Sequence, residues 1–167
     1  MMIIKKEKIP FTKKSGYVDV PERLRTLNKK ERHAVLATHS GRQPYTSLVA
    51  FALTPDGGGA LFATPRKTTK YKNITRNKNV ALLIDTRANT PKGYMDSEAV
   101  TILGKAAPIR KGNRRDELAG IFIRKHPQLA EFVNAPSTAM VFVSIQKVIH
   151  AGRFQWVTEW KDQRARN

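Results

Sequence analysis

Short polar breaks divide this chain into apolar runs, and the period of each run says what it builds. "PERLRTLNKKER", residues 21–32, opens on a proline and sets Leu24 and Leu27 three apart, the spacing of one helix face. Four runs of strand length follow: "HAVLATH" (33–39), "TSLVAFAL" (46–53), "GALFAT" (59–64) and "NVALLID" (79–85). "GRQP" separates the first pair and "PDGGG" the second, and both are turn chemistry. They read as a meander of hairpins. Residues 67–77 favour a short helix with Thr68 or Thr69 as its N-cap, and "RNKN" (76–79) is its exit. "DTRANTPKGYMD" (85–96) predicts a long exposed loop. "SEAVTILGKAAPI" (97–109) is another strand. Leu118, Ile121 and Phe122 then stand at helical spacing, and Pro127 opens a second helix carrying Leu129, Phe132 and Val133. "TAMVFVSIQKVIHAGRFQWVTEW" (138–160) closes the pattern as one or two strands.

Six or so strands, near-continuously apolar at their centres, with few helices, predict a mainly β, small closed antiparallel barrel. Residues 1–20 read as an extended segment, 21–160 as the barrel domain and 161–167 as a basic tail. A chain of 167 residues fits one domain with a proper core. It has no cysteine, which excludes disulfides, thiolate catalysis, iron–sulfur clusters and zinc ribbons. "MMIIKKEKIP" has charge where a signal peptide needs an apolar core, and no run reaches the length of a membrane span. A cytoplasmic protein is the expectation.

The net charge of +18 is the outlying number, and it attracts phosphorylated ligands, nucleic acid or anionic surfaces. The charge is spread: ten Lys and Arg lie in 1–32, six in 66–78 and five in 105–115. The four histidines are scattered, and His33 and His39, on one strand face, stand about 20 Å apart, too far to share an ion. They read as surface or half-buried side chains. No nucleophile elbow is present. "GGG" (57–59) precedes a strand rather than a helix, so it reads as a hairpin turn and not as a phosphate loop.

One stretch remains, "LFATPRKTTKYKNI" (61–74). It runs strand, Thr64, Pro65, Arg66, Lys67, Thr68, Thr69, Lys70, helix, with no carboxylate between Asp56 and Asp85. Free backbone N–H groups at a helix start, threonine hydroxyls and flanking cations together make an anion site suited to a phosphate monoester. The same residues read equally as a solvated basic helix face.

The succession "GRQPYTSLVAF", "LFATPRKTTKYKNITRNKNVALLI" and "AVTILGKA" resembles the flavin-binding split-barrel family, the group that includes pyridoxamine 5′-phosphate oxidase, over roughly residues 30–145. The resemblance implies a six-stranded antiparallel split barrel that dimerises, with flavin mononucleotide (FMN) in a cleft between subunits. Matched residue by residue, Ser47, Leu48 and Val49 lie on the strand beside the isoalloxazine ring, and Ala63 and Thr64 end the next strand at the cofactor. Thr68, Thr69 and Lys70 match the family's Ser-Arg-Lys phosphate grip, with Thr69 in place of its arginine. Arg66 or Lys67 is positioned to supply that charge. Where the oxidase has arginine, this chain has Ser47. The oxidase's C-terminal Arg-x-His pattern is replaced by "GRFQWVTEW", so another substrate is expected. Phe154 and Trp156 alternate on one strand face, as cover for the ring or as barrel or dimer core. The implied activity is a flavin-dependent oxidoreductase fed by a reduced nicotinamide. The same barrel with F420 or haem is the alternative. A nucleic-acid module is the third reading, and it has only Tyr71 as an aromatic within the basic run.

Overall fold

A computed structural model describes residues 18–88, 90–93, 96–152 and 156–161. Helix α1 (Val20–Lys30) precedes strands β1 (His33–His39), β2 (Pro44–Ala50), β3 (Ala52–Leu53) and β4 (Gly59–Pro65). Helix α2 (Thr69–Arg76) leads to β5 (Asn79–Asp85) and β6 (Glu98–Pro108). Helices α3 (Asn113–Lys125) and α4 (Ala130–Asn134) come before β7 (Thr138–Gly152) and β8 (Trp156–Lys161). All strand pairs are antiparallel and form one curled sheet in the order β2-β1-β5-β6-β7-β4-β3, with β8 also on β7.

The mainly β split barrel expected from the sequence is present, with eight strands among the described residues in place of six. The meander is corrected too. β1–β2, β3–β4, β5–β6 and β7–β8 are neighbours in sequence and space, but β4 pairs with β7 while β5 lies between β1 and β6. "TSLVAFAL" is not one strand. At Phe51 the backbone leaves the β2 ladder, its N–H donates to Arg32 O at 3.3 Å, and its ring is wholly buried. An apolar residue at the break hides it from a pattern reading. The helix expected at Pro127 begins as a 3-10 turn (Pro127–Leu129) and continues as α4.

Two cores result. The barrel interior is filled by Leu36, Phe62, Leu82, Ile102, Val143 and Val148, and α1 plugs one end with Leu24 and Leu27. A second core lies between the other face of β3, β4 and β7 and the helices α3 and α4, built on Leu61, Phe122, Val133 and Met140. β4 is therefore buried on both faces, which is why its sequence is apolar without alternation. β6 carries a bulge between Leu103 and Gly104. A Cβ at Gly104 would fall against Ser144 O and within 2.8 Å of Val143 Cγ1.

Two polar ties hold the helices to the barrel. Arg23 of α1 pairs with Glu98 of β6, whose Oε2 lies 2.9 Å from His150 Nε2 on β7. Burial acts to raise the Glu98 pKa, but the hydrogen bonds from Arg23 and His150 outweigh it and hold the carboxyl below its usual range. At the end of α3, Lys125 Nζ donates to Asn28 Oδ1 at 2.9 Å and sits 3.6 Å from the Phe51 ring centroid. Next to it, His126 Nε2–H donates to Phe51 O at 2.8 Å. The surface or half-buried histidines expected from the sequence are corrected here: His126 and His150 are 1% and 6% exposed.

Gly104→Ala is expected to lower unfolding free energy by about 1–3 kcal/mol in urea titrations, because the bulge leaves no room for a methyl. Burial, followed by the charge of Arg32, lowers the Lys125 pKa to about 7. Between pH 7 and 10 the unfolded chain then holds a proton that the folded chain lacks, so this group makes stability rise with pH. Lys125→Met is expected to flatten that rise, read as the pH dependence of the stability difference between wild type and variant.

Candidate functional site

The corner after β4 is built by two threonines. Thr64 is buried, and its Oγ1 lies 2.9 Å from Thr68 Oγ1. Thr68 spends its one hydroxyl proton on Pro65 O at 2.9 Å, so Thr64 is the donor in the pair. Thr68 also caps α2 by accepting from Tyr71 N at 3.4 Å, which decides between the two caps, Thr68 and Thr69, that the sequence offered. Arg66 N donates to Ser137 O at 2.9 Å, which ties the turn to the start of β7. The amides of Thr69 and Lys70, at the first two positions of α2, have no acceptor within the helix.

Arg66, Lys67, Lys70 and Lys72 flank those amides along the chain. Arg66 is aimed by two contacts: it donates to Tyr71 Oη at 3.1 Å, and its guanidinium lies 5.8 Å from the Tyr71 ring centroid. The helix is fixed from the other side by a residue the sequence reading missed. Asn73 is buried, its Nδ2 donates to Thr38 Oγ1 at 3.1 Å, and its Oδ1 accepts from Ser40 Oγ at 2.9 Å. With Ile74 in the barrel core, this sets α2 against β1, β2 and β6. The available signal was position: Asn73 precedes Ile74 on the inward side of a short amphipathic helix.

The strand expected to carry the ring is the sheet's edge. Ser47 pairs with Leu36 and Val49 with Ala34, so both share the inner face with those core residues. The Ser47 Oγ is buried and has no hydrogen-bond partner. Leu48 points the other way and is 66% exposed. β2 touches both α2 and β4, the two elements that flank the Thr64–Lys70 corner. Of the expected residues, Thr64 and Thr68 are bonded together, and Arg66, Lys67, Thr69 and Lys70 are their chain neighbours in the turn and the first turn of α2. Ala63 lies on the opposite face of β4 from Thr64, against the second core. Phe154 and the Trp156 side chain lie outside the described residues. Among the described residues no group of His, Asp and Glu is arranged to hold a metal ion. No helix of the described residues is long and apolar enough to cross a membrane.

None of the curated proteins matches the sequence. Solved structures do match the fold. ChuZ of Campylobacter jejuni superposes with a TM-score of 0.76 at 13% identity, over 90% of this chain and 63% of that one. A heme binding protein from Mycobacterium smegmatis gives 0.74 at 16% identity, over 84% and 57%. A FAD-binding protein from Mesorhizobium loti gives 0.64 at 13% identity, over 77% and 90%. This chain spans less than two thirds of the first two, and at these identities the likeness concerns the fold. The sequence itself matches the profile of the family described as pyridoxamine 5′-phosphate oxidase over residues 20–151, which takes in the barrel, α2 and the threonine corner. By that match the chain belongs to the pyridoxamine 5′-phosphate oxidase family.

Proposed function

We propose that the chain binds FMN between the Thr64–Lys70 corner and the Ser47–Val49 edge, and acts as a flavin-dependent oxidoreductase other than pyridoxamine phosphate oxidase itself. One observation carries this reading: a buried Ser47 hydroxyl without a partner, on the strand that α2 touches. An unsatisfied buried hydroxyl costs about 1–3 kcal/mol, and a ligand that bonds it removes that penalty. The free amides of Thr69 and Lys70, with Arg66, Lys67 and Lys70, suit a phosphate dianion. Bound flavin supplies hydride or one-electron transfer, with a reduced nicotinamide as donor. The chain holds the phosphate and orients the ring along the Ser47–Val49 backbone.

A homodimer completes this reading. Leu48, Val35, Leu83, Thr101 and Ile149 form a row across the outer face of five strands, ending at the exposed Leu48. A second subunit on that face covers the row and shields a ring lying on the edge. Haem is the second reading, favoured by the likeness to the heme binding protein from M. smegmatis.

Titration of the protein with FMN, F420 and haemin discriminates the cofactors. FMN is expected to saturate with quenched fluorescence and a band near about 450 nm. Ser47→Ala is expected to leave the melting temperature of the ligand-free protein unchanged or higher while weakening FMN. Thr69→Ala with Lys70→Ala is expected to weaken FMN about tenfold or more. Unaltered FMN fluorescence beside a stoichiometric Soret band would replace flavin by haem. Sedimentation velocity is expected to show a dimer that Leu48→Glu converts to monomer.

A further inference from the structure

A second site stands on the far side of Arg66. Two cavities meet around the loop that joins β6 to α3, sharing Ile109, Lys111 and Gly112. The larger, about 440 Å³, has an apolar wall of Ala107, Pro108, Ile109 and Phe142. That volume is in the range of small-ligand sites. Its rim carries Arg110, Lys111 and Arg114. The Arg114 guanidinium lies 5.4 Å from the Phe142 ring centroid, a cation–π contact. Gly59 makes this possible: a Cβ at that position would collide with the Phe142 ring.

The smaller cavity, about 280 Å³, is lined equally by polar and apolar surface and includes Arg66 from the turn after β4. Arg66, Lys111 and Arg115 line it, with Asp116 as the opposing charge. Arg115 is committed to α4, where it donates to Val133 O and to Asn134 Oδ1. Arg66 and Lys111 are thus the cations free of any carboxylate among the described contacts of this chamber.

A chamber walled by an aromatic ring and guanidinium planes accepts a flat base; an adjoining cationic chamber accepts phosphates. We propose that this double cavity binds the nucleoside diphosphate moiety of a nucleotide, the base against Phe142 and Arg114 and the phosphates between Lys111 and Arg66. The proposal stands on these cavities and does not need the flavin reading, although the two sites share Arg66. It gives the field of a +18 chain a specific occupant.

The test is isothermal titration of the full chain with ADP, with and without saturating FMN. Saturable 1:1 binding is expected in both, weaker beside FMN because the phosphates of both ligands draw on Arg66. Lys111→Ala and Arg114→Ala are each expected to weaken ADP about tenfold or more, the range for a lost charge-assisted contact. Lys29→Ala on α1 is the control for net charge and is expected to leave ADP binding unchanged. Adenosine and tripolyphosphate, each lacking one half of the ligand, are expected to bind more weakly than ADP. NADPH and FAD competing with ADP identify a dinucleotide as the physiological source, whereas ADP binding that neither displaces identifies a free nucleotide. Tripolyphosphate binding as tightly as ADP, equal losses from Lys29→Ala and Lys111→Ala, or no saturation would each overturn the site. An oligonucleotide that displaces ADP with a steep salt dependence would overturn it in favour of nucleic acid. FMN binding is read separately by absorbance, so failure of one site leaves the other standing.

Discussion

The molecule depends on the way β7 divides its two edges. Along one edge it pairs with β6 from Val141 to Gly152; along the other it holds β4 through Thr138–Ser144 and then β8 through Lys147–Gly152. One strand thereby belongs to three pairings, and the sheet must curl to allow it. The curl encloses the first core, and the doubly buried stretch of β4 and β7 gives α3 and α4 something to cover. It also places Pro65 opposite Thr138, so the cationic turn begins where β7 begins.

From that pairing the polar architecture follows. The threonine corner is rigid because each hydroxyl has a defined partner, and α2 is held on its inner side by Asn73. Rigidity at a helix start is what a phosphate contact needs, since donors already in place lose little freedom on binding. Arg66 in the turn after β4 and Lys111 in the loop after β6 line one cavity, so the charge of two separate turns acts on the same space.

Much of the strand content was legible because strands buried on one or both faces leave apolar runs. The Thr68 cap was legible because a hydroxyl must stand before a helix with free amides. What failed depended on distance along the chain. The pairing of Gly59–Pro65 with Thr138–Ser144 joins segments about 75 residues apart, and no local period encodes it. Phe51 hid a strand break because a buried residue looks the same whichever ladder it has left. Asn73 carried no signal until its two bonds were seen, and His126, read as surface or half-buried, is fully buried because its bond to Phe51 O makes burial tolerable. The side-chain direction of Ala63 followed the period of two and so faced away from Thr64.

β2 ends the sheet, and within the described residues its outward row of backbone groups finds no strand partner. Such a border is adhesive toward any extended peptide, including a second copy in a crowded solution. The seven-residue length of β2 and the proline that starts it limit how far such an accretion can spread. Handling the purified chain at high concentration therefore means managing a margin that the fold leaves unsealed.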